Sequence, residues 1–136
     1  KDAILTQSGL ADMMNFGVID CYSGGQPDTP NDPATGSYIG SITESGQVFV
    51  AGDKSKGLEL DRETRARLKD KGNWQLRVQN TGTIGWWRWR WNAVDPDTSS
   101  AFYPRVDGLA DESLVLSTYN VTKGDVVGIQ QFILSF

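Results

Sequence analysis

The sequence contains no histidine. Histidine is the commonest general acid–base group and metal ligand in proteins, and its side chain normally titrates near neutral pH. Carboxylates come close together at Asp95 and Asp97 and at Asp111 and Glu112, but these lie in predicted turns, where Asp commonly caps backbone amides. A calcium site at Asp95 and Asp97 would lack the spacing of an EF-hand loop. We therefore predict no catalytic residues, no metal, no cofactor and no enzymatic activity; a small hydrolase is the weakest alternative.

Cysteine is limited to Cys21, so the chain cannot form an internal disulfide. Cys21 lies in an apolar, strand-like stretch, residues 18–22. A nucleophilic cysteine needs a cationic partner such as histidine. The sequence therefore predicts a buried and inert thiol.

Long apolar runs and an excess of positive charge are also missing. No run approaches the ~18 residues that a membrane helix needs. Thirteen Lys and Arg against seventeen Asp and Glu give a net charge of −4, whereas a nucleic-acid partner would require clustered cations. We predict neither a membrane nor a nucleic-acid partner.

Short segments of alternating apolar and polar residues make up most of the chain, between fifteen glycines and five prolines. A period of two is typical of strands with one buried face. In residues 74–79, for example, Trp74, Leu76 and Val78 share one face. Further strands are predicted at 58–61, 114–119 and 126–134 and around Val48 and Val50.

About eight such strands predict an all-β fold, a single antiparallel β-sandwich or jelly-roll-like domain over residues 1–136, with a closed barrel as the alternative. Residues 8–15 predict at most one short N-terminal helix. The charged segment 61–71 has no core-facing apolar stripe and predicts a solvated excursion with at most one helical turn. Three prolines in residues 26–36 predict an extended surface loop, because proline cannot donate a ladder hydrogen bond.

Four of the five tryptophans lie in residues 85–92, the tryptophan strand. The two-residue period of a strand divides its large side chains between two faces: Trp87, Trp89 and Trp91 on one, and Trp86, Arg88 and Arg90 on the other. We expect the first set to form a core ladder.

The second face of this strand is a candidate partner-binding surface. Exposed Trp86 with Arg88 and Arg90 would have the composition enriched at interface hot spots. Alternatively, the arginines stack on Trp86 and pair with surface carboxylates. Pro27 and Pro30 are further candidates, because prolines reduce the entropy lost when a loop docks.

A collinear set of short motifs runs along nearly the whole chain: 17–19, 22–24, 26–27, 34–36, 71–72 with Trp74, 81–86, Arg88, 105–108, 123–127, Phe132 and Leu134. This set resembles a family of small proteins encoded in tailed-bacteriophage genomes and described as virion structural proteins. The charged segment 61–71 and the additional Trp87, Trp89 and Trp91 depart from the family's usual pattern.

This resemblance implies a β-sandwich located in the virion, which assembles in the host cytoplasm. The implied role is to bind the capsid or tail surface, and we expect a capsid decoration (cement) protein that binds the outside of the capsid and reinforces it. The implied partners are the major capsid protein or other virion subunits, with a homo-oligomer on the particle. A tail, neck or fibre-base component has the same sequence features. A carbohydrate-binding β-sandwich for host attachment is a further alternative, and it requires exposed tryptophans.

Overall fold

The computed structural model describes residues 15–64, 67–92, 95, 105–110 and 114–135. These residues form short strands and one 3-10 helix, Lys54–Lys56, whose N-cap Asp53 accepts a hydrogen bond from the Ser55 amide. The predicted helix over residues 8–15 falls almost entirely outside the described residues. The strands are β1 (Val18–Tyr22), β2 (Tyr38–Glu44), β3 (Glu59–Thr64), β4 (Arg67–Lys71), β5 (Trp74–Val78), β6 (Gly82–Thr83), β7 (Trp86–Arg90), β8 (Arg105–Leu109), β9 (Leu114–Val115), β10 (Asn120–Val121), β11 (Val126–Gly128) and β12 (Gln131–Ser135).

The strands are arranged in antiparallel sheets that pack against each other. The largest has six strands in the order β11-β5-β2-β1-β7-β8, and a second has four in the order β3-β4-β12-β9. A small ladder joins β10 to β6. The all-β, sandwich-like fold class predicted from the sequence is confirmed.

Aromatic side chains fill the space between the two larger sheets. Phe132 on β12 lies with its ring centroid 5.3 Å from that of Trp74, 5.1 Å from that of Trp87 and 5.5 Å from that of Trp89. All four are buried, and Trp91 packs against the cluster while remaining half-buried. The predicted tryptophan core ladder is therefore confirmed.

Strand β5 also follows its predicted alternation. Trp74, Leu76 and Val78 are buried, while Gln75 is half-buried and Arg77 exposed. A shift of one residue would place the three large apolar side chains in water, so the core fixes the register of this strand.

The charged segment 61–71 forms most of an antiparallel hairpin, β3 and β4, so the prediction of a solvated excursion between strands is wrong. Glu59 lies opposite Lys71, and Asp61 lies opposite Lys69. Opposite charges across an antiparallel ladder stabilise the pairing. β4 also pairs with β12, so its backbone is bonded on both sides.

Two other strand predictions need correction. Val48 and Val50 lie in a loop and are exposed, not in a strand. The predicted strand 126–134 is divided into β11 and β12, because the chain crosses between sheets there. The amide of Ile129 donates to Trp74 O in the six-stranded sheet, whereas that of Gln130 donates to Val115 O on β9.

Of the two remaining predictions, the strand over residues 114–119 is only partly correct, and the loop over residues 26–36 is confirmed. Only Leu114–Val115 of residues 114–119 is a strand, so the predicted length is wrong. Residues 26–36, which we call the proline loop, contain no strand, as predicted.

Candidate functional site

The side of the six-stranded sheet that faces away from the tryptophan core carries the candidate residues of the tryptophan strand. On β7 these are Trp86, Arg88 and Arg90, in alternation with Trp87 and Trp89 of the core. β7 lies between β1 and β8, and Arg88 is opposite both Asp20 and Asp107. We call this side the outer face of the sheet.

Arg88 is buried on the outer face and forms a two-pronged ion pair with Asp107. Its Nε donates to Asp107 Oδ1 at 2.8 Å, and its Nη2 donates to Asp107 Oδ2 at 3.0 Å. Neither side chain is more than 2% exposed. The guanidinium also lies over the Trp86 ring, 5.4 Å from its centroid. The cation is thus stabilised within the fold.

Trp86 is fully buried as well. Its ring stacks on Tyr22 with centroids 4.7 Å apart, and its Nε1 donates to the carbonyl of Thr35 at 3.2 Å. The expectation that Trp86 and Arg88 are exposed is wrong. The proline loop folds back over Trp86. Strand alternation alone cannot predict that a segment distant in sequence will bury this side chain. The alternative of arginine pairing and stacking describes the site better, with buried instead of surface carboxylates.

A second buried ion pair anchors the proline loop. Arg105 Nε donates to Asp95 Oδ2 at 2.7 Å and Nη2 to Asp95 Oδ1 at 2.6 Å, and both side chains are fully buried. Arg105 Nη1 donates to the carbonyl of Pro30 at 3.1 Å. Asp95, which the sequence placed in a turn and offered with Asp97 as a possible calcium ligand, thus has an arginine partner.

The two candidate prolines differ in exposure. Pro27 is buried within the chain, whereas Pro30 is exposed while its carbonyl accepts from Arg105. Pro27 is therefore not accessible for the predicted partner contact, because it is already buried within the fold. Pro30 keeps its surface.

Arg90 begins a chain of hydrogen bonds that leads to the surface. Its Nε donates to Asp20 Oδ2 at 2.6 Å, and Ser41 Oγ donates to Asp20 Oδ1 at 2.7 Å. The Tyr38 hydroxyl lies 2.5 Å from Ser41 Oγ. Burial alone would lower the pKa of the Arg90 guanidinium, but the charge of Asp20 and its hydrogen bond outweigh burial and raise the pKa. For the Tyr38 hydroxyl, whose charged form is the anion, burial acts in the opposite direction and raises the pKa.

A cavity of about 240 Å³ opens at the end of this chain of hydrogen bonds. Its floor is the outer face around Ser41 and Arg77, which are cross-strand partners. Its wall is the loop that follows β2. The lining residues are Tyr38, Ser41, Gln47, Val48, Phe49, Arg77, Gln79 and Arg90.

The loop over residues 46–53, which we call the valine loop, exposes apolar side chains next to this cavity. Val48 is 66% exposed and Val50 is 48% exposed. The sequence indicated strand residues at these positions, and nothing in the local pattern distinguished a strand from an exposed apolar loop.

The buried thiol and the carboxylates give no sign of a reactive centre in the described residues. Cys21 is fully buried, as predicted, and burial together with the charge of Asp20 raises the pKa of its thiol far above the ordinary value. The described residues contain no group of three or more possible metal-binding side chains. They also contain no helix long and apolar enough to cross a membrane.

No family model, curated protein or solved structure matches this chain. The relation to phage virion proteins is therefore a hypothesis based on the sequence motifs alone.

Proposed function

We propose that this protein is a structural component of a tailed-phage virion, a decoration protein that binds the outside of the capsid and reinforces it. The observation that carries the proposal is the valine loop. It exposes Val48 and Val50 to solvent, while hydrogen bonds fix its backbone at both ends. Exposed apolar side chains on an ordered loop favour contact with another protein.

Hydrogen bonds at both ends define the backbone of the valine loop. At its start, Arg77 Nε donates to Gly46 O at 2.9 Å and Thr43 Oγ1 donates to Gln47 O at 2.5 Å. At its end, the Gly52 amide donates to Asn92 Oδ1, and Asn92 Nδ2 donates to Asp53 O at 3.3 Å. A loop ordered before binding loses less conformational entropy on docking.

The proline loop is fixed in a similar way. Arg105 bonds the Pro30 carbonyl, Trp86 bonds the Thr35 carbonyl, and Thr35 Oγ1 donates to Gly25 O at 2.7 Å. Two ordered loops on one sheet suit a protein that makes the same contact at many symmetric positions of a particle. The proposed partners are the major capsid protein or other virion subunits, with several copies on each particle.

The test is addition of the purified protein to particles that lack it, made from the genome that encodes this chain. We expect saturable binding by sedimentation and added density on the outer capsid surface by electron cryo-microscopy. Density only at the tail, neck or fibre base would support that alternative and contradict decoration. No density on any particle would contradict a virion role.

The matched variants are Val48→Ser with Val50→Ser, and Leu109→Ser. Leu109 is 42% exposed and lies on β8, one of the two edge strands of the same sheet; β11 is the other. Loss of particle binding by the double valine variant but not by Leu109→Ser is the expected result. Equal binding by both would show that the valine loop is not the contact.

A further inference from the structure

The cavity beside the valine loop has features that the decoration role does not use. It combines two arginines, two glutamines, two aromatic rings and the Ser41 hydroxyl around about 240 Å³. Pockets for drug-sized ligands span ~300–1,000 Å³ and combine apolar walls with a few placed polar groups. A cavity slightly below that range suits a ligand the size of one sugar ring.

Arg77 provides unused charge in the cavity. Its Nε is engaged by Gly46 O, which fixes the direction of the guanidinium. Within the described part of the chain, its Nη1 and Nη2 have no protein partner. The edge of a guanidinium matches the two oxygens of a carboxylate, and such pairs are among the strongest hydrogen bonds in proteins.

Arg90 contributes differently. It also lines the cavity, but Asp20 balances its charge. Among the residues that the structure describes, the cavity lining includes no carboxylate, so this wall is locally positive in a chain of net charge −4. This charge pattern favours an anionic ligand over a cationic one.

The other lining groups suit hydroxyls and a ring face. Gln47 donates its amide nitrogen to Glu44 O at 3.1 Å, and its amide oxygen has no partner among the described residues. Gln79 is exposed at the rim, and its side chain has no described partner. Tyr38 and Phe49 supply aromatic surface, and the tyrosine adds a polar tip.

We propose that this cavity binds an acidic sugar unit, with Arg77 pairing to its carboxylate, the glutamines and Tyr38 bonding its hydroxyls, and Phe49 packing on its ring. The site differs from the tryptophan platform that the sequence indicated, because Trp86, Trp87 and Trp89 are buried. It is independent of the virion role, and it needs no exposed tryptophan.

The test is a titration of the whole protein followed by two-dimensional amide NMR. The probes are methyl β-D-glucuronide, its neutral counterpart methyl β-D-glucoside, and acetate. We expect the glucuronide to shift the amides of the cavity residues, with the glucoside at least about tenfold weaker because it lacks the charged hydrogen bond. Acetate alone should bind more weakly than the glucuronide.

The decisive variant is Arg77→Gln, and its control is Lys69→Gln, which removes the same charge from an exposed position on the four-stranded sheet. Arg77→Gln should weaken glucuronide binding about tenfold or more, and Lys69→Gln should leave it unchanged. Glucuronide binding unaffected by Arg77→Gln would overturn the proposal. So would equal binding of the two glycosides, binding of acetate as tight as that of the glucuronide, or no shifts at the cavity.

Discussion

The two faces of strand β7 are both closed to solvent, but by different physical means. On one face, Trp87 and Trp89 pack among aromatic rings. On the other, Arg88 is neutralised by Asp107 and Trp86 is covered by Tyr22 and the proline loop. The apolar face gains free energy from burial alone, whereas the charged face is stable only while each buried group keeps its partner.

The largest expected effect comes from breaking the ion pair on the outer face. Asp107→Ala leaves the fully buried Arg88 guanidinium without its carboxylate, and removing one partner of a buried pair costs about 3–5 kcal/mol. Urea unfolding should show this loss in the free energy of unfolding.

Two controls define this effect. Asp28→Ala removes an exposed carboxylate of the proline loop and should change stability by less than about 0.5 kcal/mol. The double variant Arg88→Met with Asp107→Leu should recover most of the loss, because an apolar pair of similar size often replaces a buried ion pair without cost. An Asp107→Ala variant as stable as the wild type would mean that water or another group compensates the charge of Arg88, and would contradict the dependence of this face on the ion pair.

The opposite face is tested through Gly108, which lies across from Trp87 on β8. A Cβ added there would be 2.3 Å from Cζ2 of Trp87. Gly108→Ala should therefore destabilise the protein by about 1–3 kcal/mol through overpacking, measured as a lower midpoint of unfolding.

Gly128→Ala is the matched control, since Gly128 lies in β11, the other edge strand of the same sheet, with open space around its Cα. That variant should be neutral within about 0.5 kcal/mol. Similar losses for the two glycine variants would contradict the packing of Trp87 against β8.

A smaller effect is expected where the proline loop covers Trp86. Trp86→Phe retains an aromatic ring against Tyr22 but loses the hydrogen bond to Thr35 O. That loss costs about 0.5–1.5 kcal/mol, with a further contribution from the smaller ring. Limited proteolysis should cut the proline loop faster in this variant, and an unchanged cleavage rate would mean that Trp86 does not hold the loop.

The smallest effect on stability is expected in the valine loop. Val48→Ser with Val50→Ser changes exposed side chains and should alter the free energy of unfolding by about 0.5 kcal/mol or less, while particle binding is lost. A large loss of stability in thermal unfolding would show that the loop packs within the fold and is not available for docking.

Strand alternation was sufficient to predict the fold class and the membership of each face. It placed Trp87 and Trp89 together and separated them from Trp86 and Arg88, because side chains alternate strictly along a strand. It could not predict that the second face is also covered. That cover depends on Asp107 of the neighbouring strand β8 and on the proline loop, which is distant in sequence.

The hairpin of β3 and β4 shows the same limit. Its residues carry charge and no apolar stripe, so composition indicated a solvated segment. The backbone of β4 pairs with β3 on one side and with β12 on the other. The pairing with β12 depends on a distant part of the chain, which the composition of the segment cannot indicate. The cavity also depends on non-local placement, since Arg77, Arg90 and Phe49 come from separate segments.

The burial of both sides of β7 is tested most directly by iodide quenching of tryptophan fluorescence in a Trp91→Phe variant. The four tryptophans left, Trp74, Trp86, Trp87 and Trp89, are each no more than 2% exposed. We predict blue-shifted emission with almost no quenching until the protein unfolds. A quenchable, red-shifted component in the folded variant would place one of these tryptophans in solvent and contradict the burial of β7 on both of its sides.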